Sequence, residues 1–263
     1  MDELKYLTEH YSNYNEEDRL KSRHGQVEYL TTIRYIERYL KKGMRILEVG
    51  AGTGIYSLTF ADQGYEVDAV ELVEHNINIL KSKILPAHKI NVRQGNAIDL
   101  SFYEDNTFDI TLVLGPMYHL FEKADKKKAI SDAIRVTKPG GVIFVAYCIN
   151  EATMMVWGFM QGNILNAIEQ GMIDLDSYKC ISNPSLLFEM HRKEDIDALM
   201  SQFDIEPLHY VATDLATNYM RPVVDAMDDT LFATYLDYHF KICERKDLVG
   251  ATHHSLDIFR KKG

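Results

Sequence analysis

The stretch Ile46-Leu47-Glu48-Val49-Gly50-Ala51-Gly52-Thr53-Gly54-Ile55-Tyr56 constrains this chain more than any other. It opens as a short apolar run and ends on three glycines at alternate positions. A helical pattern follows over residues 55–63 and is closed by Gly64. The pattern reads as strand, tight turn, helix. Glycine in such a turn takes backbone angles closed to other residues and lets a ligand approach the main chain. The first helical turn adds N–H groups with no partner inside the helix. The stretch is therefore a nucleotide-type binding turn.

The glycine spacing narrows the ligand. The dinucleotide fingerprint G-x-G-x-x-G is missing, because Ile55 stands where its last glycine would be. No Gly-Lys-Ser/Thr follows, so the turn is not a Walker loop. Glu48 opens the turn, and a negative group there suits a positively charged ligand better than a pyrophosphate. Glu71 closes a second, alternating run at residues 65–71. An acid at that place accepts the two hydroxyls of a ribose.

Around this turn the chain alternates. Tyr29, Ile33, Ile36 and Leu40 predict a helix over 26–42, stopped by Gly43. Residues 1–25 are polar and tyrosine-rich, as in a surface helix or arm. Strands are expected at 45–49, 65–71, 89–94, 108–114 and 142–149. Between them, one helix from Glu74 carries Ile77, Leu80 and Ile84 on one face. Another, over 123–138, turns Ala129, Ile130, Ala133 and Ile134 inward and is broken by Pro139-Gly140-Gly141. Such alternation implies a parallel sheet with helices on both faces and a ligand at the carboxyl ends of the strands.

After Asn150 the rhythm changes. Two insertions, at about 151–185 and 214–250, flank a helix at 192–203 and a strand at 205–213. A last strand is expected at 255–260. Eight of the eleven methionines lie beyond residue 150. Methionine surfaces adapt to apolar ligands, so the insertions are expected to cap the strand ends.

Composition sets the remaining bounds. Lys and Arg number 29 against 39 Asp and Glu, a net charge of −10. That balance weighs against a nucleic-acid substrate. Cys148, Cys180 and Cys243 are far apart and odd in number, which fits neither a disulfide framework nor a metal spacing. No metal is expected. The longest apolar run, 142–149, is strand-sized, and the first residues lack a signal-peptide pattern. A cytoplasmic protein with no membrane partner is expected.

The motifs together resemble the class I S-adenosylmethionine-dependent methyltransferases. The family pattern E/D-x-G-x-G-x-G is matched by Glu48, Gly50, Gly52 and Gly54. Its second-strand acid corresponds to Glu71. Its G-D-A segment beside the adenine appears as Gly95-Asn96-Ala97, with an amide in place of the acid. The fourth strand begins Phe108-Asp109, and Pro139-Gly140-Gly141 matches the turn before strand five. Leu114-Gly115-Pro116-Met117-Tyr118-His119-Leu120 is similar to the corresponding loop of bacterial small-molecule methyltransferases. The resemblance covers residues 25–150 well and 190–262 in outline.

It implies an α/β fold: a doubly wound, mostly parallel seven-stranded Rossmann-like sheet with helical cap insertions. Residues 1–42 would form an N-terminal helical cap and 43–263 the methyltransferase domain. The implied cofactor is S-adenosyl-L-methionine, leaving S-adenosyl-L-homocysteine. Its implied binding residues are Glu48, Gly50, Ala51, Gly52, Gly54, Tyr56, Glu71, Leu72, Asn96, Ala97, Leu114 and Gly115. Tyr14 and Arg23 are candidates for holding the methionine carboxylate.

A sulfonium donor carries an activated methyl group, so a general base is needed only for a protonated nucleophile. His119 is the candidate base and Tyr118 a candidate for the acceptor pocket. His191 and Arg192 are further candidates to face it. No role falls to His253 or His254. The acidic chain and apolar insertions favour a small-molecule acceptor. The alternatives are an RNA or protein methyltransferase and a non-catalytic S-adenosylmethionine-binding protein. No Asn-Pro-Pro-Tyr motif follows strand four, which disfavours base or glutamine N-methylation. A homodimer through the caps and the acceptor atom (O, N, S or C) stay open.

Overall fold

A computed structural model describes residues 2–13 and 16–263. Three helices come first: α1 (Asp2–Asn13), α2 (Glu16–Lys21) and α3 (Arg23–Glu37). Ser22 caps α3, its hydroxyl accepting the Gly25 N–H at 3.1 Å. Gly25 is required there, because a Cβ would lie 1.9 Å from the Arg19 carbonyl oxygen. The helix ends five residues before the expected position 42. Tyr39 and Leu40 leave it to pack on the sheet core, and the Tyr39 hydroxyl reaches His209 at 2.8 Å.

The sheet is then laid down as β1 (Arg45–Val49), α4 (Ile55–Asp62), β2 (Glu66–Glu71), α5 (Glu74–Lys83), β3 (Lys89–Gln94), β4 (Phe108–Val113), α6 (Lys123–Val136) and β5 (Thr137–Ile149). The first insertion follows. It holds α7 (Asn150–Thr153), a π-helical stretch (Met154–Met160), α8 (Ile164–Glu169) and a small hairpin of β6 (Ile173–Asp174) and β7 (Lys179–Cys180). Next come β8 (Met190–His191), α9 (Lys193–Met200), β9 (Ile205–Ala212), α10 (Arg221–Asp225), α11 (Asp229–Ile242) and β10 (His254–Lys261).

Seven strands run in the order β3-β2-β1-β4-β5-β10-β9. The first five are mutually parallel, and β10 is antiparallel to both its neighbours. An eighth, β8, adds two residues beside the end of β5. The expected seven-stranded path is present, and β8 is an addition to it. Strand β5 starts earlier than expected: Pro139-Gly140-Gly141 lies within it as an irregularity, where the register against β4 shifts.

Alternation along the strands fills both faces. Ile46, Leu112 and Phe144 pack with Ile36 and Phe60 on one side. Leu47, Val113 and Val145 pack with Ile130 and Ile196 on the other. Chain order reverses at β1, which lies between β2 and β4. In sheets of this kind a ligand crevice opens at that reversal. Among the described residues no helix is long and apolar enough to cross a membrane.

Gly54 tests this packing. Its φ is +89°, and a Cβ there would lie 2.1 Å from Leu80 Cδ1, a fully buried side chain on α5. Gly64, also at positive φ, has nothing within 4 Å of such a Cβ. Gly54→Ala is expected to cost about 2–4 kcal/mol in urea denaturation, from overpacking plus left-handed backbone strain. Gly64→Ala is expected to cost about 1 kcal/mol, from strain alone. Equal losses would contradict the Leu80 contact.

Candidate functional site

A cavity of about 1120 Å³ lies over the ends of β1, β4, β5 and β10. Leu7 and Tyr11 of α1, Arg19 and Leu20 of α2, and Glu28 and Thr32 of α3 line it from the N-terminal helices.

One end is the glycine turn. Gly50 and Ala51 donate their N–H groups to the Val70 carbonyl at 2.8 and 3.0 Å. Glu71 Oε2 accepts the Gly52 N–H at 2.8 Å. Glu71 Oε1 accepts the Val73 N–H at 2.9 Å and the Asn76 amide at 3.3 Å. The end of β2 thereby holds the turn open. A Cβ on Gly50 would lie 2.7 Å from Pro116, so this glycine lets the loop after β4 close in. A Cβ on Gly52, which lines the cavity, would meet nothing within 4 Å. The main chain there borders open space, as a close-approaching nucleotide requires. Gly54 does not line the cavity and packs against Leu80 instead.

Glu48 is buried beneath the turn and accepts the Ser57 hydroxyl. Burial pushes its pKa up to about 8, and the nearby Glu71 charge adds to the rise. The carboxyl is therefore largely neutral at pH 7. A cation arriving beside it would favour the carboxylate. Ala51, Tyr56, Leu72, Asn96, Ala97, Leu114 and Gly115 also line the cavity. The fold thus gathers nearly all the expected cofactor residues on one wall system.

The N-terminal expectations fare differently. Tyr14 lies outside the described residues. Arg23 does not line the cavity. It sits on the outer side of α3, 2.7 Å from Asp229 and over the Phe232 ring, and docks α11. Arg19 lines the cavity instead, gripping Glu28 with contacts of 2.5 and 3.2 Å.

Tyr118 and His119 both line the cavity from the loop after β4. His119 Nδ1 faces the Leu187 carbonyl at 2.8 Å, and a carbonyl only accepts. Nδ1 must carry the hydrogen, so Nε2 accepts the Tyr11 hydroxyl at 2.8 Å. Burial lowers the His119 pKa to about 4. A neutral ring with its lone pair engaged ties α1 to the 187 region; it is poorly placed for the base role expected from its position in the chain. His191 and Arg192 are also displaced from expectation. His191 packs on the Tyr147 ring, and Arg192 pairs with Glu151 at 2.6 Å; neither lines the cavity.

The other end of the cavity carries residues with no expected role. His254 is the cross-strand partner of Cys148, and both line the cavity. His254 Nδ1 stands 3.0 Å from Asp214 Oδ2 and 3.2 Å from Glu28 Oε2. Burial alone would lower the His254 pKa, but Glu28 and then Asp214 hold it well above its usual value. The legible signal was topological: a strand antiparallel to β5 begins where β5 ends, so its first residues reach the ligand side. Among the methionines beyond residue 150, Met172 and Met190 line the cavity.

Comparison with known proteins agrees with this geometry. Residues 46–141 match a family model described as a methyltransferase domain. The chain is similar to the ubiquinone/menaquinone biosynthesis C-methyltransferase UbiE of Idiomarina loihiensis, with 31% identity over 65% of this chain and 70% of that protein. The UbiE protein of Haemophilus ducreyi is 29% identical over 65% of this chain and 68% of its own length. Among solved structures, an S-adenosylmethionine-dependent methyltransferase of Thermotoga maritima, titled a possible histamine N-methyltransferase, shares the fold. It has a TM-score of 0.58 and 17% identity, over 99% of this chain and all of that one. Nucleotide cradle, sheet order and these matches converge: the chain belongs to the class I S-adenosylmethionine-dependent methyltransferases.

Proposed function

We propose that this enzyme transfers the methyl group of S-adenosylmethionine to a small, largely apolar molecule held beneath its insertions. The observation that carries this reading is the single cavity. At about 1120 Å³ it joins the glycine cradle to a wall of Thr153, Trp157, Met172, Ile181, Phe188 and Met190. Sites for one drug-sized ligand span about 300–1,000 Å³, so donor and acceptor fit side by side. Roofing by α1–α3 disfavours a threaded RNA or peptide. Several similar proteins are named for ubiquinone and menaquinone biosynthesis, which favours a quinone-type ring compound as the acceptor.

In this reading Glu71 takes the ribose hydroxyls in addition to holding the turn. A carboxylate offers about four acceptor positions, so the two tasks are compatible. Gly50 and Gly52 allow the nucleoside to lie against the main chain. Leu72, Asn96 and Ala97 flank the base, while Leu114 and Gly115 border the methionine portion. Tyr56 closes the same wall, and Arg19 lines the cavity from the N-terminal helices and Arg221 from α10. Bound S-adenosylmethionine supplies a methyl group already activated on a sulfonium. The residues' work is to align the acceptor with it and keep water out; positioning of this kind contributes several kcal/mol.

Three measurements test the assignment. Incubating the protein with methyl-labelled donor and a metabolite extract should label a small molecule; label confined to RNA or protein would reverse the acceptor class. Gly52→Val, whose Cβ meets no atom, should keep the fold at the cost of left-handed backbone strain, seen as a lowered melting temperature, yet bind the donor roughly 100-fold more weakly, about 2.7 kcal/mol by calorimetry. Unchanged affinity would remove the donor from this turn. Glu48 gives a pH signature. Its folded pKa of about 8 lies above the reference value of 4.5, so folding favours the protonated form and wild-type stability falls as pH rises between them. Glu48→Gln should lack that fall. The melting-temperature difference, variant minus wild type, should therefore grow from pH 5 to about pH 8 and then level off. A flat difference would show that Glu48 ionises normally.

A further inference from the structure

Asp214, His253 and His254 reach the far end of the cavity from the segment after β9 and the start of β10. Chain spacing hides the set, because no pair of them forms a recognisable metal motif with the acid. In the folded protein one ligand-type atom from each lies within 4.8 Å of the other two. We propose that Asp214, His253 and His254 form a binding site for one divalent transition-metal ion of the zinc, iron or cobalt class, open to the acceptor end of the cavity.

Geometry supports the site most directly at Asp214 and His254. His254 Nδ1 and Asp214 Oδ2 are 3.0 Å apart. Ligands with bonds of about 2.1 Å stand about 3.0 Å apart on an octahedral ion and about 3.4 Å apart on a tetrahedral one, and this pair sits at the short end of that range. Asp214 Oδ1 is committed elsewhere: it accepts the Thr252 hydroxyl at 2.6 Å and the His253 and His254 N–H groups at 2.8 and 3.2 Å. That fixes the carboxylate and turns Oδ2 toward the rings. A ligating carboxylate whose second oxygen is hydrogen-bonded is the usual outer-shell arrangement. His253 Nδ1 is buried and has no hydrogen-bond partner among the described residues. A buried polar atom without a partner calls for a physical reason, and the two histidine rings lie only 4.4 Å apart, centroid to centroid.

Charge and ligand type agree. Asp214 and Glu28 are two buried carboxylates; Arg19 pairs with Glu28, and Arg221 also lines the cavity. Glu28 Oε2, 3.2 Å from His254 Nδ1, adds an acidic neighbour to the set. Two imidazoles select zinc, iron or cobalt over magnesium or calcium. Coordination replaces the hydrogen on His254 Nδ1, which leaves as a solvent proton. With three protein ligands, an ion of this class has positions left for water or an oxygen of the acceptor.

The test reads the metal itself, so it stands apart from methyl transfer. The full chain, stripped with a chelator, is titrated with Co²⁺ and followed by visible absorption. One equivalent should bind and give a d–d band. His253→Ala and Asp214→Asn should each weaken binding at least about tenfold. His253→Ala removes a ring whose Nδ1 makes no hydrogen bond, so circular dichroism should show an intact fold even if Asp214→Asn disturbs one. Absence of the band at one equivalent overturns the proposal. A band unchanged in His253→Ala places the ion elsewhere and overturns it equally.

Discussion

The hydrogen bond from Gly52 N–H to the Glu71 carboxylate is the contact on which the donor end depends. It joins the turn after β1 to the end of β2, across the edge where chain order reverses. Three glycines at positive φ make the turn possible, but positive φ alone leaves a flexible loop. The Glu71 carboxylate and the Val70 carbonyl select one geometry from those available. The same carboxylate accepts the Val73 N–H and so sets where α5 begins. One side chain thus fixes the cradle and the start of the next helix, and it is the acid proposed for the ribose hydroxyls.

The opposite end depends on buried charge. Arg19, Glu28, His254 and Asp214 come from α2, α3, β10 and the segment after β9. Burying ions is expensive, and a pair regains the cost only with good geometry and satisfied hydrogen bonds. Here Arg19 forks onto Glu28, and Asp214 Oδ1 takes donors from three residues. Removing one member would leave another buried and unpaired. The N-terminal helices are therefore held over the strand ends by electrostatics as well as by apolar contact, and the cavity acquires a fixed roof.

What could be read from the chain follows from this division. Strands β1 to β5 and their helices were legible because parallel strands buried on both faces write continuous apolar runs, and because glycine, proline and acid punctuate them. Glu48, Gly50, Gly52 and Glu71 stood out in the chain because glycine spacing and acids near strand ends are visible there, and the structure brings all four to one cavity wall. The far end was not legible. His254 meets Asp214 and Glu28 only through the antiparallel register of β10 against β5 and the docking of α3. Arg19 and Arg23 lie four positions apart on either side of the break between α2 and α3, and nothing local says which faces inward. Helix α3 ended early because Tyr39 and Leu40 were claimed by the core, a tertiary demand that periodicity does not record.

His119 shows the same limit from the side of chemistry. Its place just past the carboxyl end of β4 is where a base would be useful, and the chain does put it in the cavity wall. Protonation chemistry depends on partners, however, and both ring nitrogens have one. With Nδ1 donating to a carbonyl and Nε2 accepting a phenol, the ring can take a proton only by releasing Tyr11 and with it a contact that holds α1. The opposite wall, where Glu28, Asp214 and His254 meet, holds further titratable groups of the same cavity. The cavity wall therefore carries titratable side chains at the ends of β5 and β10 as well as in the loop after β4.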